Sequence, residues 1–150
     1  MKVNHRRRMK MKITTIKLIM IVALVSTIPA MAQENLTINI TSPEDGSDVD
    51  WRTWVEGETN LQNDTDYHIY VIINPADSGT WWVQPNVVFD KNEGKWISFV
   101  YIGREGMDWG SWQFVRAIIT KSRLEDNTFD VMPENLVAQS NTIRVRRNDR

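Results

Sequence analysis

The stretch VVFDKNEGKWISFVYIG, Val87 to Gly103, consists of two apolar runs joined by the turn-forming segment KNEG. After the turn, Trp96, Ser98, Val100 and Ile102 alternate with Ile97, Phe99 and Tyr101. Successive side chains of a strand point to opposite faces, so this period of two predicts a strand, and the turn before it predicts a hairpin. A lone hairpin is marginal in water. The rest of the chain must therefore supply more strands, and it does.

Working outward, LTINIT (Leu36–Thr41) alternates with Leu36, Ile38 and Ile40 on one side, and SPEDGSD follows as a turn. VDWRTWVEG is a second strand ending at Gly57. YHIYVIIN (Tyr67–Asn74) is apolar on both faces, which predicts a central strand that Pro75 ends. TWWVQ precedes Pro85 and is expected at a sheet edge. SWQFVRAIIT (Ser111–Thr120) puts Trp112, Phe114 and Ile118 on one face and Val115, Ala117 and Ile119 on the other. Lys121–Gln139 has no clean period and is expected to be a loop with a short helical turn. NTIRVR closes the pattern with Ile143 and Val145 inward. Seven to eight short strands without an amphipathic helix predict an all-β, antiparallel two-sheet sandwich, with a closed barrel as the alternative.

Residues 1–32 stand outside this pattern. MKVNHRRRMKMK is basic, Leu18–Ile28 is an apolar run, and AMA (Ala30–Ala32) supplies small residues for cleavage. That order is a secretory signal peptide, with an uncleaved anchor as the alternative, and it predicts an extracellular or cell-envelope domain over residues 33–150. The run is short for a membrane span of ~30 Å. After cleavage no further span is expected. Seven of the 18 basic residues lie in the leader and none of the 19 acidic ones do. Residues 33–150 thus carry 11 basic and 19 acidic side chains, a formal charge of −8. Phosphate binding needs a basic face, so nucleic acid is not the expected partner. With no cysteine, stability must come from apolar packing.

ITSPEDGSDV followed by VEG resembles the opening of prokaryotic immunoglobulin-like modules, in which a Ser-Pro-x-x-Gly turn joins the first two strands and Val-x-Gly ends the second. YVIINP, WWVQ, GKW and YIG are similar to the middle of secreted or surface modules of archaea and bacteria. The resemblance covers Ile38 to Val145. It implies an immunoglobulin-like or fibronectin-III-like sandwich outside the cell and carries over no catalytic residues. The departure is that the module stands alone behind a leader.

Few residues suggest catalysis. His68 is the only histidine after the leader, and no Gly-x-Ser-x-Gly stretch accompanies it. A secreted hydrolase with paired carboxylates is the remaining enzymatic alternative. Asp45, Asp48 and Asp50 fall within six residues and suit calcium by ligand type, with turn chemistry as the competing role. The tryptophans are the stronger lead. Trp109 sits in a glycine-bracketed loop, and in a strand Trp81 and Trp82 must face opposite ways. Val83 shares a face with Trp81, so Trp81 is expected inward and Trp82 outward, free to stack on a ligand. Trp54, Trp96 and Trp112 are expected to pack. Asn35, Asn39 and Asn63 head Asn-x-Thr triplets, which are glycan acceptors in a suitable host. These features predict a noncatalytic surface module binding a protein or a glycan; the alternative is a structural envelope component without a soluble ligand.

Overall fold

The computed structural model describes residues 35–62, 66–76 and 78–148. The leader and Asn63 lie outside them. The described residues form eleven strands and no helix. In chain order these are β1 (Ile38–Ser42), β2 (Asp48–Val49), β3 (Arg52–Thr59), β4 (His68–Pro75), β5 (Trp81–Val83) and β6 (Val87–Asp90). They continue as β7 (Lys95–Tyr101), β8 (Trp112–Thr120), β9 (Thr128–Phe129), β10 (Leu136–Gln139) and β11 (Ile143–Arg147). Sheet A is four-stranded in the order β1-β3-β7-β6. Sheet B runs β2-β11-β8-β4-β5-β9, with β10 also paired to β8.

The two sheets pack face to face. Ile38, Ile40, Val55, Trp96 and Val100 of sheet A meet Val71, Ile73, Val115, Ala117, Ile119, Ile143 and Val145 of sheet B. Burying each valine or isoleucine among them stabilises by about 1.5–3 kcal/mol relative to exposure. The expected hairpin is β6–β7, with Asp90 opposite Lys95. Its turn closes through Gly94 N–H donating to the Asp90 carbonyl at 2.9 Å. Asn92 N–H also donates to Asp90 Oδ1 at 2.9 Å. β4 is interior to sheet B, flanked by β8 and β5, as its two apolar faces require.

Several expectations need correction. The stretch expected as one strand from Val49 to Gly57 changes sheets: β2 pairs with β11 and β3 pairs with β1 and β7. The β2–β11 pair is parallel, so the sandwich is not purely antiparallel. β3 also runs beyond Gly57 to Thr59. No helical turn forms after Lys121; β9 and β10 lie there instead, extending the count beyond eight. β5 is not an edge strand, because β9 pairs outside it.

Gly57 illustrates how the core is shaped. It pairs with Trp96 on the inner side of sheet A. A Cβ there would overlap the Asn39 carbonyl oxygen and the Trp96 indole. The indole therefore lies across bare backbone, which lets a large ring occupy a tightly packed interior.

Candidate functional site

Register decides which aromatics are available. On β3 and β7 the inward pairs are Thr53–Val100, Val55–Ser98 and Gly57–Trp96. The outward pairs are Arg52–Tyr101, Trp54–Phe99 and Glu56–Ile97, and Val88 of β6 lies beside Ile97. Trp54, expected to pack in the core, is thus on the outer face of sheet A and 53% exposed. Its ring centroid lies 4.7 Å from that of Phe99, tilted 48°. Phe99 meets Tyr101 edge-on at 6.3 Å. Trp51 adds a further ring 5.6 Å from Tyr101, and the Arg52 guanidinium lies 4.3 Å above Trp51. With exposed Val88, these rings make a continuous apolar strip. Glu56, Glu58, Asp90 and Lys95 border it, all exposed.

Trp112 and Phe114 are likewise outward, on sheet B, because Gln113, Val115, Ala117 and Ile119 take the inner positions. Trp112 lies between the Arg144 and Arg146 guanidiniums, at 5.9 and 5.8 Å. Such contacts contribute about 0.5–1 kcal/mol each at exposed sites.

The double tryptophan is placed opposite to expectation. β5 pairs Trp82 with Ile73 and Val83 with Ile72. Ile73 belongs to the core, so Trp82 is on the inner face of sheet B and Trp81 on the outer one. Trp81 is half-buried beneath the Arg116 guanidinium, 5.0 Å from its ring. Trp82 is nonetheless 52% exposed. The chain crosses between the sheets from β5 to β6, and the crossover residues Val83–Pro85 border two depressions. Gln84 ties the crossover down: its Oε1 accepts the Tyr101 N–H at 2.9 Å.

The larger depression, about 710 Å³, is lined by Trp82 and by Gly103, Arg104, Asp108 and Ser111 of the loop after β7. Ile73 and Gln113 lie at its base, and Tyr101 borders it. The loop is held by Asp108, whose Oδ2 accepts from the Arg104 N–H at 2.9 Å and from its Nε at 3.0 Å. Asp108 Oδ1 accepts from Arg104 Nη2 at 2.8 Å. The guanidinium beside it holds the Asp108 carboxyl below its ordinary value. Asp108, Gly103, Gly106 and Gly110 all have positive φ, so the loop is a succession of left-handed turns. Its far end is anchored by β11: Gly110 N–H donates to the Arg147 carbonyl at 3.0 Å and Arg147 N–H to that of Ser111 at 2.9 Å. Trp109 is exposed on this loop but does not line the cleft.

The smaller depression, about 520 Å³, holds His68 with Tyr70 and Arg123, and among the described residues neither a serine nor a carboxylate lines it. The three aspartates considered for calcium do not converge. Asp45 accepts from the Arg144 N–H at 2.7 Å, Asp48 binds Arg146 Nε and Nη2 at 2.7 and 2.9 Å, and Asp50 faces Asn148 Nδ2 at 3.4 Å. They fasten the β1–β2 turn and β2 to β11, and the residue after β2 to Asn148. Among the described residues no group of three acidic, histidine or cysteine side chains is placed to hold a metal ion. Asn35 and Asn39 are both exposed. No helix of the described residues is long and apolar enough to cross a membrane.

Two residues of the cleft were not anticipated, Gln113 and Asp108. The signal for Gln113 was present: its parity with Val115 and Ala117 puts a polar side chain at a core position. No protein-family model matches the chain, and no curated protein is significantly similar to it.

Proposed function

We propose that the chain is an exported, noncatalytic immunoglobulin-like module that docks a protein partner at the cell surface through the outer face of sheet A. The observation that carries this reading is the strip formed by Trp54, Phe99 and Tyr101 with exposed Val88 beside it. Contiguous exposed apolar surface rimmed by charge marks interaction sites. Aromatic residues are enriched in the centres of interfaces, where they act as anchors. The rings are tilted by 48° and 65° relative to their neighbours, so they form ridges and hollows that suit interdigitating side chains better than a row of flat sugar rings. The basic, apolar leader supports export, and the two packed sheets together with the Ser-Pro-x-x-Gly and Val-x-Gly stretches support the immunoglobulin-like assignment.

A photo-crosslinking residue at position 88, on this face, tests the reading against one at exposed position 131. Expressed in the producing cell, the first should give a discrete adduct with an envelope protein and the second should not. Trp54→Ala should abolish the adduct while leaving the fold intact. Adducts of equal strength from both positions, or none from position 88, would refute it.

A further inference from the structure

Arginine recurs over the tryptophans of this domain. The Arg52 guanidinium lies 4.3 Å above Trp51, and that of Arg116 lies 5.0 Å from Trp81. Those of Arg144 and Arg146 lie 5.9 and 5.8 Å from Trp112. Trp54 departs from the pattern. It is 53% exposed on the outer face of sheet A, and among the described residues no cation lies over its ring. Arg52, two residues before it on the same strand, turns instead to Trp51 and to Tyr101, 5.7 Å from that ring. The negative face of an indole attracts a guanidinium or an ammonium group. On Trp54 that attraction is left for a group from outside.

The charges along β3 say where such a group would point. Residues two apart on a strand share a face at a spacing of about 6.6 Å. β3 therefore presents Arg52, Trp54, Glu56 and Glu58 in line on the outer face. Glu56 stands opposite apolar Ile97 and Glu58 opposite Lys95. Lys95 is already engaged by Glu93 at 2.9 Å. Both glutamates are exposed, and among the described residues neither is in a salt bridge. The face thus carries a cation at one end, free carboxylates at the other and an uncapped indole between them. A cation over Trp54 is repelled by Arg52 and drawn towards Glu56.

We infer that the partner of this face supplies an arginine, its guanidinium stacked on Trp54 and hydrogen-bonded to the Glu56 carboxylate. The inference rests on the docking reading above and adds to it the chemistry of the partner. Arginine fits better than lysine, because a planar guanidinium stacks on a ring while its N–H edge takes a carboxylate. Residues 33–150 carry 11 basic and 19 acidic side chains, so charge complementarity favours a basic partner over a second copy of the chain.

The full-length chain, isotope-labelled at its tryptophan indoles, is titrated by NMR with N-acetylarginine amide. N-acetylcitrulline amide, neutral and of nearly the same shape, is the comparator. The arginine derivative should shift the Trp54 signal saturably, and the citrulline derivative should not. Trp54 should move more than Trp51, Trp81 and Trp112, which already hold an arginine. Glu56→Gln, at an exposed position, should weaken this binding about threefold. In the producing cell, Glu56→Lys should reduce the adduct from position 88 at least about tenfold. Glu134→Lys, exposed between β9 and β10 and away from this face, should leave it unchanged. Circular dichroism checks that each variant keeps its β structure. Equal shifts from both derivatives would overturn the inference, as would shifts confined to the other tryptophans. An adduct at full strength in Glu56→Lys would remove the arginine and leave the docking reading standing, whereas no adduct from position 88 in the otherwise unchanged chain would end both.

Discussion

Replacing Gly57 by alanine adds a single methyl group at the most crowded point of sheet A. That methyl would overlap the Asn39 carbonyl oxygen on one side and the Trp96 indole on the other. The carbonyl belongs to the β1–β3 ladder, where Ile40 opposite Gly57 fixes the strand spacing. The indole is almost completely buried, with no open side to move into. Overpacking a dense core costs about 1–3 kcal/mol. Because both neighbours are held, Gly57→Ala should fall at the upper limit, about 3 kcal/mol. At roughly 4 °C per kcal/mol for a domain of this size, the Tm should drop by about 12 °C. Urea denaturation with matched m-values gives the free energy directly. The cause can be isolated by repeating the substitution in a Trp96→Phe background. The smaller ring vacates part of the space, and it forfeits no hydrogen bond because Trp96 Nε1 has no acceptor. The double variant should be at least about 1 kcal/mol more stable than the sum of the two single effects predicts. A loss below about 0.5 kcal/mol for Gly57→Ala would refute the close-packing reasoning. Strict additivity would refute the part assigned to the indole.

Two further outcomes follow from the loop and the acidic turn. Asp108→Asn tolerates the positive φ but loses the ionic pair with Arg104, and should destabilise by about 1 kcal/mol at pH 7. Arg104 lowers the folded-state pKa of Asp108 beneath the ordinary 3.8, so this stabilisation is present above the unfolded value and is lost as pH falls through the folded one. The gap between wild type and variant, followed by thermal unfolding, should therefore narrow below about pH 4; a gap that stays constant down to pH 2 would contradict the ion-pair account. Because Asp45, Asp48 and Asp50 are each directed at a different partner, millimolar calcium and EDTA should give the same Tm within about 1 °C, and a calcium-induced rise of several degrees would show that they converge in solution.

The hairpin and the core strands were legible in the sequence because both depend on local period. Trp96, Ser98, Val100 and Ile102 are all buried as their alternation requires, and so are Ile143 and Val145. β9 has two residues, too few to show any period, and its pairing with β5 is a tertiary fact. The change of sheet between Val49 and Arg52 was hidden for the same reason, since β2 is equally short. The tryptophans failed differently. Parity gives the face of a residue but not whether another sheet covers that face. Trp82 is inward and exposed, and Trp81 outward and half-buried beneath the Arg116 guanidinium. Trp54 and Trp112 were assigned to the core by size alone, although their parity with Val55 and Val115 already put them outside.

β11 occupies the interior of sheet B, between β2 and β8, although it is the last of the described strands in chain order. Its ion pair from Arg146 to Asp48 spans 98 residues of chain. Closing a loop of that length is entropically slow, and folds dominated by such pairings form late and cooperatively. Until Ile143–Arg147 exists, β2 has no partner in the sheet and the Trp112–Val115 stretch of β8 lacks its β11 neighbour. Sheet B is therefore complete only once the chain has reached β11.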